Sequence, residues 1–363
     1  MKNTELLIKP VSYDCNLECG YCFYKGTEKL YPGGSHRMDE AVLERVISRA
    51  FDYSDGGVAA FSWQGGEPLL AGADFYGKVF ALQKKLGGAG RRVANSIQTN
   101  GALLDEGILG LIKEYNVFAG LSIDGNEAMH NRYRNRSFGA AMEAAGKLKA
   151  RGIDFNVLTV INDFNAGRAE ALYNFYREKG FEYVQFIPCF ELGPAGRPAL
   201  FSVKPSEYGK FLCSFFDLWH NGGNPEFGVR FFDNVLEALF GAEPGYCGFK
   251  DSCRDYLVVE YNGDVYPCDF FVRKEWKLGN IMENTLSELY ERQLAGFSRL
   301  KSLVSPACAS CEWFSICKGG CPKYRETAGG RYDAPDYFCE AYKKFFGYAA
   351  KRLKGMIRLR SGQ

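Results

Sequence analysis

Residues 15–22 read Cys15-Asn16-Leu17-Glu18-Cys19-Gly20-Tyr21-Cys22, three thiols within eight positions, soon after the apolar stretch 6–9. Three thiolates at this spacing can hold three irons of a 4Fe-4S cube and leave the fourth iron open to an exogenous ligand. Zinc is the alternative, but a structural zinc takes four ligands, and no fourth cysteine or histidine stands nearer than His36. Outward from this octet the chain alternates β-rich apolar runs with amphipathic stretches. Strands are expected at 6–9, 58–63, 93–98, 118–123, 155–160 and 183–187, and helices at 39–51, 74–86, 105–115, 138–151 and 166–179. Six strand–helix units imply an α/β fold with a parallel sheet, wound into a barrel or partial barrel, although a doubly wound open sheet also satisfies the pattern.

Beyond the Gly/Pro-rich segment 191–198 (ELGPAGRP), residues 205–220 and 231–240 read as helices. From there the composition shifts to cysteine, glycine and aromatic residues, as where metal rather than a large apolar core fixes the chain. We therefore expect domains at 1–230 and 231–363, the second with a hairpin (257–261 and 265–268 around Asn262-Gly263-Asp264) and a terminal helix over 335–353. With 363 residues and 46% hydrophobic content the chain can bury a large core, and its formal charge of +2 gives no field to recruit nucleic acid or an anionic membrane. No run of about 18 apolar residues and no secretory leader is visible, so a cytoplasmic protein is expected.

Thirteen cysteines in such a chain point to metal or catalysis rather than disulfides. Besides the first three, eight lie in the C-terminal part: Cys247, Cys253, Cys268, the run Cys308, Cys311, Cys317, Cys321, and Cys339. They make two four-thiolate sets, with a zinc ribbon as the alternative for the CxxC run. Cys189 and Cys213 stand apart and read as small buried hydrophobes.

The CxxxCxxC octet followed by Phe23 resembles the radical S-adenosylmethionine (SAM) signature. Gly65-Gly66-Glu67-Pro68, Gln98-Thr99-Asn100-Gly101 and Ser122-Ile123-Asp124-Gly125 fall where the second, third and fourth strands end, the face on which parallel barrels build sites. The downstream cysteines resemble the SPASM extension. Within that group, LLIKPVS, CFY, QGGEP, NSIQTNG, GLSIDG, YPCDFF, KLGNI and CKGGCPKYR resemble the blocks of anaerobic sulfatase-maturating enzymes over residues 6 to 345.

The resemblance implies a partial (β/α)6 barrel of the radical SAM type followed by a small SPASM domain, three 4Fe-4S clusters, and SAM. Cys15, Cys19 and Cys22 would hold the SAM cluster; Cys247, Cys253, Cys268 and Cys321 the first auxiliary cluster; Cys308, Cys311, Cys317 and Cys339 the second. It further implies oxidation of a sulfatase cysteine or serine to formylglycine, begun by a 5′-deoxyadenosyl radical that takes hydrogen from Cβ, with reduced flavodoxin or ferredoxin as electron donor. Asp269, tethered beside Cys268, matches the family's general base; a ligand-orienting acceptor or helix cap is the alternative. Tyr24 and Gln64 match positions lining the substrate pocket, or pack plainly. Gly65, Gly66, Glu67, Gln98, Ser122 and Asp124 match SAM-binding positions, with strand-end hydrogen bonding as the alternative. The segment 131–136 (NRYRNR) reads mainly as a solvated turn, and His36, His130 and His220 as surface or capping residues.

Two other readings compete. SPASM enzymes also crosslink, epimerise or thioether-bridge ribosomal peptides, but many carry an N-terminal recognition domain for which the 14 residues ahead of Cys15 leave no room. An iron–sulfur carrier or zinc-stabilised binding module is disfavoured by the open iron, since carriers usually saturate their irons with protein ligands.

Overall fold

The computed structural model describes residues 2–88, 90–193, 196–326 and 330–361, so Pro194 and Ala195 of the Gly/Pro-rich segment lie outside the described residues. In chain order the first elements are β1 (Thr4–Lys9), α1 (Glu40–Tyr53), β2 (Val58–Trp63), α2 (Gly72–Gly87), β3 (Arg92–Thr99), α3 (Glu106–Glu114), β4 (Phe118–Ser122), α4 (Glu127–Asn131) and α5 (Phe138–Ala150). There follow β5 (Phe155–Ile161), α6 (Ala169–Lys179), β6 (Tyr183–Pro188), α7 (Pro205–His220), β7 (Gly228–Val229), α8 (Arg230–Leu239), β8 (Leu257–Glu260), β9 (Asp264–Tyr266), β10 (Gly279–Asn280) and α9 (Leu286–Ala295). The contacts divide the chain into two units that interleave: Met1–Ser122, Gly139–Phe155 and Cys253–Ser298 form one, and Ile123–Phe138, Asn156–Ser252 and Arg299–Gln363 the other.

In the first unit β1, β2, β3 and β4 pair in parallel in sequence order. The helices between them start where the sequence supplies a cap. Asp39 accepts from the Val42 N–H and Asp105 from that of Ile108, both at 2.8 Å, each cap contributing about 1 kcal/mol. The sheet extends on its other side: β8 lies parallel to β1, and β9 returns antiparallel to β8 around Gly263, whose φ of 84° suits the turn. The hairpin expected in a separate C-terminal domain thus joins the N-terminal strand. All four residues of β8 are buried, and a strand without a solvent face belongs inside a covered sheet. Leu7, Tyr31, Val258, Tyr266 and Val272 cluster beneath it.

In the second unit β5, β6 and β7 pair in parallel, and α7, α8 and a C-terminal helix (Cys339–Ser361) pack through rings. Phe186 meets Phe215 at 4.9 Å, Phe216 meets Phe232 at 5.4 Å, and Phe232 stacks on Phe345 at 5.2 Å. Two helix starts differ from expectation by three residues or more. The C-terminal helix begins at Cys339 rather than 335, because Asp336 takes the Phe338 N–H (2.7 Å) and holds the preceding turn open. Helix α6 begins at Ala169 rather than 166, because Asn162 and Asn165 bond each other's backbone in a closed turn. No helix among the described residues is long and apolar enough to cross a membrane.

Candidate active site

Parallel pairing brings the C-terminal ends of β1 to β4, at Lys9, Trp63, Thr99 and Ser122, to one edge of the first unit. The loop that leaves β1 carries Cys15, Cys19 and Cys22. Their sulfurs sense one another: the Cys15 thiol is pushed up to about 11, first by enclosure of the sulfur and then by the charges of Glu67, Cys19 and Cys22, although the residue as a whole is exposed. Three thiols on one loop with an exposed side fit a cluster with an open iron. The loop is held from behind. Asp14 accepts from the His36 N–H (2.9 Å), the His36 ring (2.7 Å) and Arg37 (2.9 Å), so His36 is a buried bracing residue and not the surface residue expected.

The Gly-Gly-Glu stretch serves the same loop. The Gly66 and Glu67 N–H groups donate to the Ser12 and Asp14 carbonyls, and a Cβ on Gly66 would stand 2.0 Å from the Asp14 oxygen. Glu67 is fully buried, its carboxylate accepting from Leu69 N–H, Thr99 Oγ1 (2.7 Å) and Asn100 N–H (2.8 Å); burial raises its pKa to about 7 against these bonds. The Glu67 carboxylate thereby packs the cluster loop against β2 and β3. Gly66→Ala is therefore expected to lower stability by about 2–4 kcal/mol, readable as a drop in Tm. Unchanged melting would contradict this packing.

Around the end of β1 lies a buried charged group. Lys9, 1% exposed, places its ammonium 2.7 Å from Asp269 Oδ1, 3.7 Å from Glu260 Oε1 and 4.4 Å over the Tyr24 ring. The Tyr24 hydroxyl donates to Asp269 Oδ2 at 2.6 Å. Burial, then the Asp269 charge, holds the Tyr24 phenol well above its usual range. For Lys9 the carboxylates of Asp269 and Glu260 outweigh the burial that would lower its pKa, which ends raised. The structure thus brings together Tyr24 and Asp269, both expected, and adds Lys9 and Glu260. A lone charge closing an apolar strand, in LLIK and LVVE, was the signal for them. Gln64 follows β2 half-buried, its N–H on the Ile8 carbonyl, and Gln98 Nε2 donates to Ser122 Oγ at 3.2 Å across the ends of β3 and β4. Asn100, unassigned from sequence, donates to Asn16 (2.8 Å) with its amide 3.8 Å from the Cys15 sulfur.

In the second unit Asp124 is fully buried, paired with Arg134 at 2.9 Å and accepting from the Val160 N–H. Its carboxylate anchors the segment 131–136, so Arg134 is a core residue, while Arg132 and Arg136 are exposed as expected of a solvated turn. His130, also expected at the surface, is fully buried: its Nδ1 faces the Asp124 N–H at 3.4 Å and its Nε2 pairs with Ser137 Oγ at 2.9 Å, the pattern of a neutral ring. Burial, then the Arg134 charge, lowers its pKa to about 4. An unfolded histidine binds its proton near 6.5, so stability is whole above pH 6.5 and falls as pH drops toward 4, by roughly 3 kcal/mol. His130→Gln is expected to flatten the stability curve in that window relative to wild type, measured by urea unfolding across pH 4–7.

All eight downstream cysteines carry thiols rather than disulfides. Cys308, Cys311, Cys317 and Cys339 ring a cavity of about 110 Å³ in the second unit, floored by Trp313 and Phe346. Cys317 is pushed up to about 11, first by burial and then by the charges of Cys311, Cys339 and Cys308. Four thiols lining one enclosed cavity fit the ligand set of a 4Fe-4S cluster. Cys247 and Cys321 also lie in the second unit, where buried Lys301 donates to the neighbouring Gly248 and Gly320 carbonyls and Asp336 accepts the Cys321 N–H. Cys253 and Cys268 lie in the first, the latter 3.4 Å from the Tyr256 hydroxyl. Cys189 and Cys213 are buried, as expected of core thiols.

A profile described as the Radical SAM superfamily matches residues 10–176, and one described as an iron–sulfur cluster-binding SPASM domain matches 247–312. The chain is 37% identical to a cysteine-type anaerobic sulfatase-maturating enzyme of Clostridium perfringens, over 97% of this chain and 98% of that one. It is also 37% identical to a serine-type enzyme of Bacteroides thetaiotaomicron, over 97% and 90%. A solved structure of native anSMEcpe with bound AdoMet and Cp18Cys peptide superimposes with a TM-score of 0.90 at 36% identity, covering 98% of this chain and 99% of that one. The fold is the α/β fold of radical SAM proteins, its open parallel sheet consistent with a partial barrel, and the chain belongs to the anaerobic sulfatase-maturating enzymes.

Proposed function

We propose that this protein oxidises a cysteine or serine of a sulfatase, presented as a protein or peptide, to formylglycine. The observation that carries the reading is the Tyr24–Asp269–Lys9 group at the end of β1, on the strand whose following loop carries Cys15, Cys19 and Cys22. Full-length likeness to both cysteine- and serine-type enzymes supports it. Bound SAM and a reduced cluster would supply the radical that removes a hydrogen atom from the substrate Cβ. The substrate radical must then lose a proton and an electron; Asp269, held by Tyr24 and Lys9, is the group to take that proton, and the electron would return to one of the iron–sulfur clusters. Serine yields the aldehyde directly, while cysteine yields a thioaldehyde that water converts to the aldehyde with release of hydrogen sulfide. Tyr24 and Gln64 flank the substrate, while the Gly65–Gly66 backbone with Gln98 and Ser122 meets SAM.

In the same proposal Cys15, Cys19 and Cys22 bind the SAM cluster, Cys247, Cys253, Cys268 and Cys321 the first auxiliary cluster, and Cys308, Cys311, Cys317 and Cys339 the second, three 4Fe-4S clusters in all. Residues 1–230 then carry the radical SAM part and 231–363 the SPASM part, whose β8–β9 hairpin adds to the sheet of the first unit. A reduced flavodoxin or ferredoxin donates the electron, and thirteen thiols suit a cytoplasmic, anaerobic setting. The test is anaerobic incubation of the reconstituted protein with reductant, SAM and peptides bearing Cys-x-Pro-x-Arg or Ser-x-Pro-x-Arg. An aldehyde on either peptide, by mass and hydrazine capture, is expected. 5′-Deoxyadenosine with both peptides unaltered would instead favour another ribosomal peptide as substrate.

A further inference from the structure

The group around Asp269 contains two residues, Lys9 and Glu260, that sequence reasoning did not assign. Asp269 sits on a single short turn (Asp269–Phe271), which cannot by itself fix a carboxylate. Lys9 and Glu260 can. They are the last residues of two adjacent parallel strands, paired in register as Lys9↔Glu260, and both are buried to 1% or less. The Lys9 ammonium is held between two carboxylates, 2.7 Å from Asp269 and 3.7 Å from Glu260. Two buried charged side chains brought to one point by strand register are costly unless the pairing is used.

We propose that Lys9, braced by Glu260, is a positioning residue for the reaction: it ties the Asp269 carboxylate to the rigid strand ends and, with Tyr24 on the other oxygen, fixes its place. This rests on the assignment of Asp269 as the proton acceptor in formylglycine formation. A carboxylate displaced by about 1 Å from its working place loses roughly a hundredfold in rate without losing substrate affinity. Radical generation does not need Lys9 and continues, so the signature is uncoupling.

The experiment compares wild type, Lys9→Met, Lys9→Arg and the double variant Lys9→Met/Glu260→Gln. The double variant removes one cation and one anion and leaves the net buried charge unaltered. Wild type is assayed first, with the cysteine and serine peptides; if it oxidises neither, the functional reading fails and this inference with it. Given wild-type activity, Lys9→Met and the double variant are expected to lower kcat for aldehyde formation by about a hundredfold, to leave peptide affinity within a few-fold, to retain full iron, and to raise the yield of 5′-deoxyadenosine per aldehyde severalfold. Lys9→Arg is expected to recover part of kcat. The proposal is overturned if the double variant keeps the wild-type kcat and product ratio, or if Lys9→Met loses iron and 5′-deoxyadenosine formation in parallel with aldehyde while the double variant regains all three, which would make Lys9 a charge balance for folding only.

Discussion

Asp269→Asn is expected to lower aldehyde formation by about 10³-fold while iron content and 5′-deoxyadenosine formation persist. The amide matches the carboxylate in size and can still face Tyr24, which stands 2.6 Å from Oδ2, but it cannot take up a proton. Lys9 stays compensated by Glu260, so folding is expected to survive the change. The measurement is a single-turnover assay of peptide aldehyde beside 5′-deoxyadenosine, with iron determined on the same sample. Aldehyde formation within a few-fold of wild type would remove Asp269 from the chemistry and leave it as an acceptor that orients Tyr24 and Lys9. Loss of iron together with activity would place its role at the neighbouring Cys268 instead.

The second large effect separates the cysteine sets. Cys22→Ala is expected to abolish 5′-deoxyadenosine formation altogether and to remove about four of twelve irons. Cys317→Ala, in the ring around the 110 Å³ cavity, is expected to remove about as much iron yet leave SAM cleavage measurable, because its thiol belongs to a different group. Aldehyde formation is expected to fail in both. If Cys22→Ala kept SAM cleavage, the first thiol set would not be the site of radical generation. If Cys317→Ala kept full iron, the downstream ring would not be a cluster site.

What could be read in advance was local. The three thiols of 15–22 lie within eight residues, so their joint chemistry follows from spacing. Strands β1 to β6 and the helices α1 to α3 and α5 to α8 follow from periodicity and caps such as Asp39 and Asp105 to within a few residues, whereas the single-turn-scale α4 was not expected. Parallel pairing then predicts that loops after successive strands share one edge. Tyr24 and Asp269 were named individually by resemblance, without a reason to expect that one would donate to the other across 245 positions.

Only the tertiary structure decided which polar groups face a reaction and which are consumed by the fold. Glu67 follows β2 and Asp124 follows β4, and the carboxylates are held by Leu69, Thr99 and Asn100 and by Arg134 and Val160 respectively. His36, His130 and Arg134 carry no sequence mark of burial, and became core residues because a neighbouring loop needed their hydrogen bonds. The pairing of β8 with β1 sets Lys9 beside Glu260, 251 positions apart in the chain. The octet and the strand pattern are set by interactions within a few residues, which periodicity and spacing express. The buried charge group is set by the register between two strands far apart in the chain, which depends on the free energy of the whole packed sheet and leaves no local trace beyond a lysine and a glutamate at the ends of apolar runs.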